Sequence, residues 1–132
     1  DPGAGGGALS GGRASPHGGP GDHASLDRSD ARYRRWYLRQ RRAVENALVY
    51  PRARQLALDQ GAVVYEVVVR RDGSLARPPR RKRSSGFADM DRAASDALLA
   101  ALPFSPLPAD LAPGRAAIRV DLTVEFSSPL VR

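Results

Sequence analysis

The most constraining feature of the sequence is a nearly perfect alternation of apolar and polar residues close to its end. Residues 116–126 read Ala-Ala-Ile-Arg-Val-Asp-Leu-Thr-Val-Glu-Phe. Because side chains alternate between the two faces of a β-strand, one row is buried and the other faces water. The mixed charges of the exposed row are typical of an edge strand, which can also dock an extended peptide by strand addition. The exposed row consists of Ala117, Arg119, Asp121, Thr123 and Glu125.

Length and composition limit the classes of protein to consider. A chain of 132 residues is long enough for one compact domain and a tail. It contains no cysteine, which excludes disulfides, thiolate metal sites and cysteine nucleophiles. No apolar run approaches the roughly 20 residues of a membrane span. Because the sequence begins with Asp1 rather than Met, we expect it to be a piece of a longer chain.

Composition also predicts two segments. Residues 1–27 are rich in glycine and carry few large apolar side chains, so they cannot bury enough surface to offset the entropy of ordering. We expect a flexible linker over 1–27 and a folded domain over 28–132. The two histidines, His17 and His23, lie in the linker and lack further ligands, so we expect no metal site.

The folded part begins with helical periodicity. From Arg28, apolar side chains recur at spacings of three and four, and Ser29 or Asp30 is suited to cap the helix. Tyr50-Pro51 should end it, because a residue before proline is disfavoured in helical geometry. Pro51 should then open a short helix to Asp59 that stops at Gly61.

The next segments predict the sheet. Residues 63–69 are apolar on both faces, which favours a central strand, and Asp72-Gly73 should form a hairpin turn. Residues 74–82 contain two prolines, so the second strand must be short, irregular or at an edge. A helix over 89–102 precedes the alternating strand. The predicted fold is α+β, a three-stranded antiparallel sheet with helices packed on one face.

Two sets of polar residues could suggest catalysis or metal binding, but their sequence context favours structural roles. A catalytic reading of Ser84-Ser85-Gly86 would need a histidine base, and the predicted folded region has none, so we predict a turn and no catalytic residue. Asp89, Asp91 and Asp96 should complement a helix dipole and pair with arginines rather than bind metal. We therefore expect no enzyme activity, no cofactor and no metal.

Several of these features, in this order, resemble the C-terminal periplasmic domain of TonB-family energy transducers, TonB or TolA. The resemblance covers about residues 33–127. It rests on Tyr37-Leu38, Tyr50-Pro51, Ala57, Gly61, the strand 63–69, Asp72-Gly73, Ser84-Ser85-Gly86, the run from Met90 to Ala94, the proline-rich 103–108 and the final alternating strand.

The resemblance implies a transducer anchored in the inner membrane by an N-terminal segment outside this chain and bound there to a motor complex. Its periplasmic domain would bind the TonB box, a short peptide of an outer-membrane receptor, and couple the proton motive force to siderophore or haem uptake. The peptide would pair with the last strand and contact the segment 45–50 before Tyr50-Pro51. We also allow for a weak homodimer. The implied peptide-binding residues are Ala117, Arg119, Asp121, Thr123, Glu125, Ala47, Tyr50 and Pro51.

The strongly basic composition leaves an alternative open. The net charge is +7, and Arg77 to Arg83 forms a dense basic run where the family resemblance would predict apolar alternation. The domain could instead bind nucleic acid or an anionic surface through this run and the arginines of the first helix. The predicted sheet lacks outward aromatic residues for base stacking, so we expect no specific nucleic-acid partner.

Overall fold

The structure is a computed structural model that describes residues 28–127. The predicted flexible linker over 1–27 lies outside the described residues, so the division into linker and domain stays a prediction. The helices and strands in chain order are α1 (Ala31–Ala47), α2 (Arg52–Leu56), β1 (Gly61–Arg70), β2 (Arg80–Arg83), α3 (Ala88–Ala100) and β3 (Ala117–Phe126).

The three strands form one antiparallel sheet in the order β2-β1-β3. The central strand β1 pairs with β3 along its whole length, from Gly61 opposite Phe126 to Arg70 opposite Ala117. Its pairing with β2 is short and irregular, as the two prolines before β2 predict. The predicted α+β fold and the central place of β1 are confirmed.

The helices pack on one face of this sheet and enclose the core. The inward side chains of β1 and β3 alternate with exposed or half-buried ones, except at Glu66, and α3 contributes an almost fully buried stripe. Trp36 of α1 packs edge-on against Phe104, with 6.1 Å between ring centroids. The main core residues are Tyr33, Trp36, Val44, Val63, Val67, Val69, Met90, Ala94, Leu98, Ile118, Val120, Leu122, Val124 and Phe126.

The first two helices differ from the prediction at their ends. The predicted cap is confirmed, since Asp30 caps α1 by accepting a hydrogen bond from the Arg32 backbone N–H at 2.8 Å. The helix stops at Ala47, so residues 48–50 already extend before the proline. Pro51 is the N-cap of α2 rather than its first helical residue, and α2 ends at Leu56 rather than Asp59. Gly61 does not stop this helix but begins β1.

The long connection between α3 and β3 is fixed to α1 and to the β1–β2 turn. Trp36 Nε1 donates to the Ser105 carbonyl at 2.8 Å, and Gln40 Oε1 accepts from the Ser105 N–H at 2.9 Å. The Arg71 guanidinium donates to the carbonyls of Pro108 and Leu111, both at 2.8 Å. These hydrogen bonds position the connection so that β3 begins beside β1.

Candidate functional site: the free edge of the last strand

Strand β3 is an edge strand in the part of the chain that the structure describes. It pairs with β1 on one side, and no described strand lies on its other side. The sequence expectation of an edge strand is met. Such an edge presents a row of backbone N–H and C=O groups on which another strand can build.

Two contacts show which residues of β3 direct their backbone groups to the open side. The Thr123 N–H donates to Tyr37 Oη over a long 3.5 Å, and the Arg119 carbonyl accepts from Arg28 Nη2 at 3.1 Å. Neither partner belongs to β1. Because the direction of backbone groups alternates along an antiparallel strand, the odd-numbered residues point outward and the even-numbered ones point to β1. The outward set is the predicted row Ala117, Arg119, Asp121, Thr123 and Glu125.

The side chains of this row lie on the sheet face opposite the helices. Several take part in ion pairs there: Asp121 Oδ2 with Lys82 Nζ at 2.9 Å, and Arg119 with Glu66 at 3.5 Å. Burial lowers the pKa of Arg119, and the charges of Arg77 and Arg80 add to this while Glu66 opposes it. The outer face of β3 is therefore polar, and ion pairs with the other strands of the sheet hold Arg119 and Asp121.

The second predicted group lies near the end of β3. The Tyr50 ring packs edge-on against Phe126, with 5.4 Å between centroids, and its hydroxyl donates to the Asp59 carbonyl. Ala47 is half-buried in the last turn of α1, and Pro51 is the N-cap of α2. Next to them Val49 is 75% exposed. The structure thus places Tyr50 against the last residue of β3. Within residues 28–127, no hydrogen bond or ion pair joins Ala47 or Pro51 to the outward row.

Sequence reasoning missed the side chains of α1 that reach this edge. Tyr37 enters the sequence analysis only through the family resemblance, yet its hydroxyl accepts from the Thr123 N–H. Arg41 is one of the arginines of the first helix, and its Nη2 lies 3.2 Å from Glu125 Oε1. The i,i+4 spacing of these two residues, which puts them on one side of the helix, is the signal that could have connected them.

The basic run is largely engaged within the protein. Arg77 and Arg80 pair with Glu66 at 3.3 and 3.2 Å, and Arg81 pairs with Asp91 at 3.3 Å. Glu66 is only 3% exposed. Its position as a lone carboxylate within an apolar strand was the sequence signal for this cluster. Guanidinium groups held by carboxylates are less available to phosphates than a free basic run would be.

The Ser84-Ser85-Gly86 segment forms a turn, as predicted. Both serine hydroxyls donate to the Asp91 carboxylate, at 2.5 and 2.7 Å, and Gly86 takes a φ of +94° that favours glycine. Burial would raise the pKa of Asp91, but the hydrogen bonds from Ser84 and Ser85 outweigh it and leave the pKa below its usual value. Asp91 is buried in the first turn of α3 and pairs with Arg81, as the prediction of an arginine partner requires.

Residues 28–127 contain neither a candidate metal site nor a candidate membrane span. No group of histidine and carboxylate side chains there is placed to hold a metal ion. Within the same residues, no helix is both long and apolar enough to cross a membrane.

A family model for the TonB C-terminal domain matches residues 33–124, which is well over half of the chain. The chain belongs to the TonB C-terminal domain family. Two NMR solution structures of the Helicobacter pylori TonB C-terminal domain are similar, each with 18% identity over 70% of this chain and a TM-score of 0.57. The match covers 80% of the longer Helicobacter chain and 92% of the shorter one. No curated protein matches the sequence significantly.

Membership of this family indicates the general role of the domain. TonB C-terminal domains are non-enzymatic periplasmic transducer domains that generally interact with outer-membrane receptors. The likeness to the Helicobacter structures supports the three-stranded antiparallel sheet with helices. At 18% identity it supports the fold alone, so the partner of this chain must be argued from its own residues.

Proposed function

We propose that this domain binds the TonB box of an outer-membrane receptor by strand addition at the free edge of β3. The bound peptide would form a fourth strand beside β3, and its backbone would bond to the outward groups of the odd-numbered residues. The observation that carries the proposal is the outward direction of the Thr123 N–H and the Arg119 carbonyl on an edge strand.

The expected affinity follows from the number of backbone bonds. A peptide of five or six residues forms several hydrogen bonds, each worth roughly 0.5–1.5 kcal/mol net. After the cost of ordering the peptide, this corresponds to binding near the micromolar range, about −8 kcal/mol. Such moderate affinity suits a transducer that must also release the receptor.

The segment before Tyr50-Pro51 supplies a second contact in this proposal. Tyr50 lies against Phe126 at the end of β3, and the neighbouring Val49 presents an exposed apolar side chain. A peptide running past the end of β3 would cover Val49. Ala47 and Pro51 would act through the position of this segment rather than by side-chain contact.

The wider role follows the family. We propose that an N-terminal segment outside this chain anchors the protein in the inner membrane and joins it to a motor complex. Pulling on the bound receptor would then couple the proton motive force to the uptake of a siderophore or haem. A TolA-like role in the cell envelope would use the same edge, and a weak homodimer could compete for it.

Binding to nucleic acid is the less supported function. The run Arg77 to Arg83 pairs with Glu66, Asp91 and Asp121, so much of its charge already has partners. We expect only weak binding that falls steeply with salt, since each phosphate contact releases counterions. A tight complex with DNA or RNA at about 0.2 M salt would favour this alternative.

The test compares two variants at one outward position. Thr123→Pro removes the outward N–H, and Thr123→Ala keeps it while removing the side chain. We expect calorimetry with a panel of synthetic TonB-box peptides to show at least about tenfold weaker binding for Thr123→Pro and near-normal binding for Thr123→Ala. Circular dichroism and thermal unfolding check that both variants fold.

A peptide control makes the test independent of protein folding. N-methylation at alternate peptide positions should abolish binding in one register, because it removes the backbone donors that face β3. Equal binding of methylated and unmethylated peptides, or full binding to a folded Thr123→Pro variant, would contradict strand addition.

A further inference from the structure

Helix α1 runs beside the free edge of β3, and contacts between the two recur at matching intervals along their lengths. Three residues contact the strand in the same order along both segments: Arg28, which precedes α1, at Arg119, and Tyr37 and Arg41 of α1 at Thr123 and Glu125. The four residues from Tyr37 to Arg41 rise about 6 Å along a helix, and two strand residues rise about 6.8 Å. One helical turn therefore matches one outward position of the strand.

One of these contacts crosses the edge itself. Helix α1 lies on the core side of the sheet, whereas the side chain of Glu125 points to the opposite face and is 60% exposed. Arg41 reaches it with Nη2 3.2 Å from Glu125 Oε1. To do so, the Arg41 side chain must pass across the open side of β3.

An added strand would need the same space. Neighbouring strands lie about 4.8 Å apart, with N–H to O distances near 2.9 Å. A peptide carbonyl that accepts from Thr123 would take the position of Tyr37 Oη, which stands 3.5 Å from that nitrogen. The peptide backbone would also meet the Arg41 side chain where it crosses to Glu125.

We infer that Tyr37 and Arg41 form an intramolecular guard on the docking edge, assisted by Arg28. The guard occupies outward groups of β3 in the free domain and must swing away before a peptide strand can pair. The inference rests on the proposed function for its consequence, but the guard itself is a property of the free domain. It makes the edge available only in part, which lowers the apparent affinity by the open fraction.

The guard also has a use in the absence of a receptor. An uncovered strand edge can pair with other chains, and proteins commonly prevent this with charged side chains at the edge. Here the charge comes from a neighbouring helix, so it can be withdrawn without unfolding the strand. The contact pattern thus combines protection of the edge with reversible access.

The first experiment needs no partner. Tyr37→Phe removes the hydroxyl but keeps the ring, which stacks on Tyr33 with 5.9 Å between centroids. In the free domain we expect severalfold faster amide hydrogen exchange at Thr123 in this variant and little change at Leu122 and Val124, which point to β1. Unchanged exchange at Thr123 would overturn the guard.

The second experiment measures binding of the synthetic TonB-box peptides to the double variant Tyr37→Phe/Arg41→Gln. We expect a severalfold tighter Kd and a faster association rate. Arg42→Gln is the matched control, since it removes the same charge from the next position of α1, which points to another side of the helix. We expect it to leave the Kd within twofold of the wild type.

The outcomes separate the guard from the proposed function. Tighter binding of the double variant than of Arg42→Gln supports the guard, and equal or weaker binding overturns it. If no peptide binds the wild type or any variant, the proposed function fails. The exchange rate of Thr123 then still decides whether the guard exists.

Discussion

At the scale of single residues, the fold depends on a few positions where no other side chain fits. Gly73 in the β1–β2 turn has a φ of +93°, and a Cβ there would lie 1.9 Å from the Phe104 carbonyl oxygen. The Phe104 N–H in turn donates to the Gly73 carbonyl at 2.9 Å. The turn and the connection to β3 therefore touch backbone to backbone.

Gly73→Ala should destabilise the domain strongly, because it adds a steric clash to an unfavourable φ. We expect a loss of about 3 kcal/mol or more in the free energy of unfolding, measured by urea denaturation. Gly86→Ala is the matched control, since its φ is +94° but nothing lies within 4 Å of the added Cβ. It should cost about 1 kcal/mol. Equal losses for the two variants would contradict the close approach at Gly73.

Asp91 should make stability depend on pH. The hydrogen bonds from Ser84 and Ser85 hold its pKa in the folded protein below the usual value for an aspartate. The contribution of Asp91 to stability is therefore present above that usual value and is lost as the pH falls through the folded pKa. Asp91→Asn should lower the free energy of unfolding at pH 7 by roughly 1–3 kcal/mol. Denaturation from pH 7 to pH 2 should show this difference shrinking below about pH 4. A difference that stays constant over this range would rule out the charge of Asp91 as its cause.

At the scale of elements, strand β2 is joined to the sheet by ion pairs as well as by its short backbone pairing with β1. Glu66 on the central strand lies beneath the guanidinium groups of Arg77, Arg80 and Arg119, all within 3.5 Å. The three cations exceed the single carboxylate, so the cluster depends on Glu66 to limit their mutual repulsion. This is how a strand of four arginine and lysine residues remains part of the sheet.

Glu66→Gln should therefore be destabilising in a salt-dependent way. We expect a loss of about 1–2 kcal/mol at low salt, a modest value because Arg77 and Arg80 are more than half exposed. The loss should shrink between about 0.05 and 0.5 M NaCl, as salt screens the repulsion. Asp121→Asn, which removes an exposed pair with Lys82, should cost under about 0.5 kcal/mol. A loss for Glu66→Gln that is independent of salt would point to packing instead.

The sequence predicted the elements whose patterns are local. The alternation in β3, the apolar run of β1 and the prolines before β2 determine strand type and position, because each acts through side-chain period or a missing N–H. The outward row of the candidate site follows from the same alternation. The i,i+4 spacing of Tyr37 and Arg41 indicates that they share one side of α1. Their contacts with β3 could not be predicted from it, since these depend on how α1 lies against the sheet.

At the scale of the whole molecule, the position of β3 at the sheet edge beside α1 connects the fold with the proposed binding of a partner. The sheet order places β3 at an edge, the helices cover only one face, and α1 lies beside the edge that remains. In the proposed mode of binding, a TonB-family domain built this way would offer its partner a backbone edge rather than a side-chain pocket. Receptor peptides of varied sequence can use such an edge, because backbone bonds do not depend on the side chains.

The most direct test of strand addition is the detection of hydrogen bonds between peptide and domain. With a labelled TonB-box peptide, NMR scalar couplings across hydrogen bonds should connect peptide carbonyls to amides of the odd-numbered residues of β3, Thr123 among them. The amides of Leu122 and Val124 should keep their bonds to β1. Couplings to the even-numbered amides, or a peptide located on the arginine-rich β2 instead, would contradict the account.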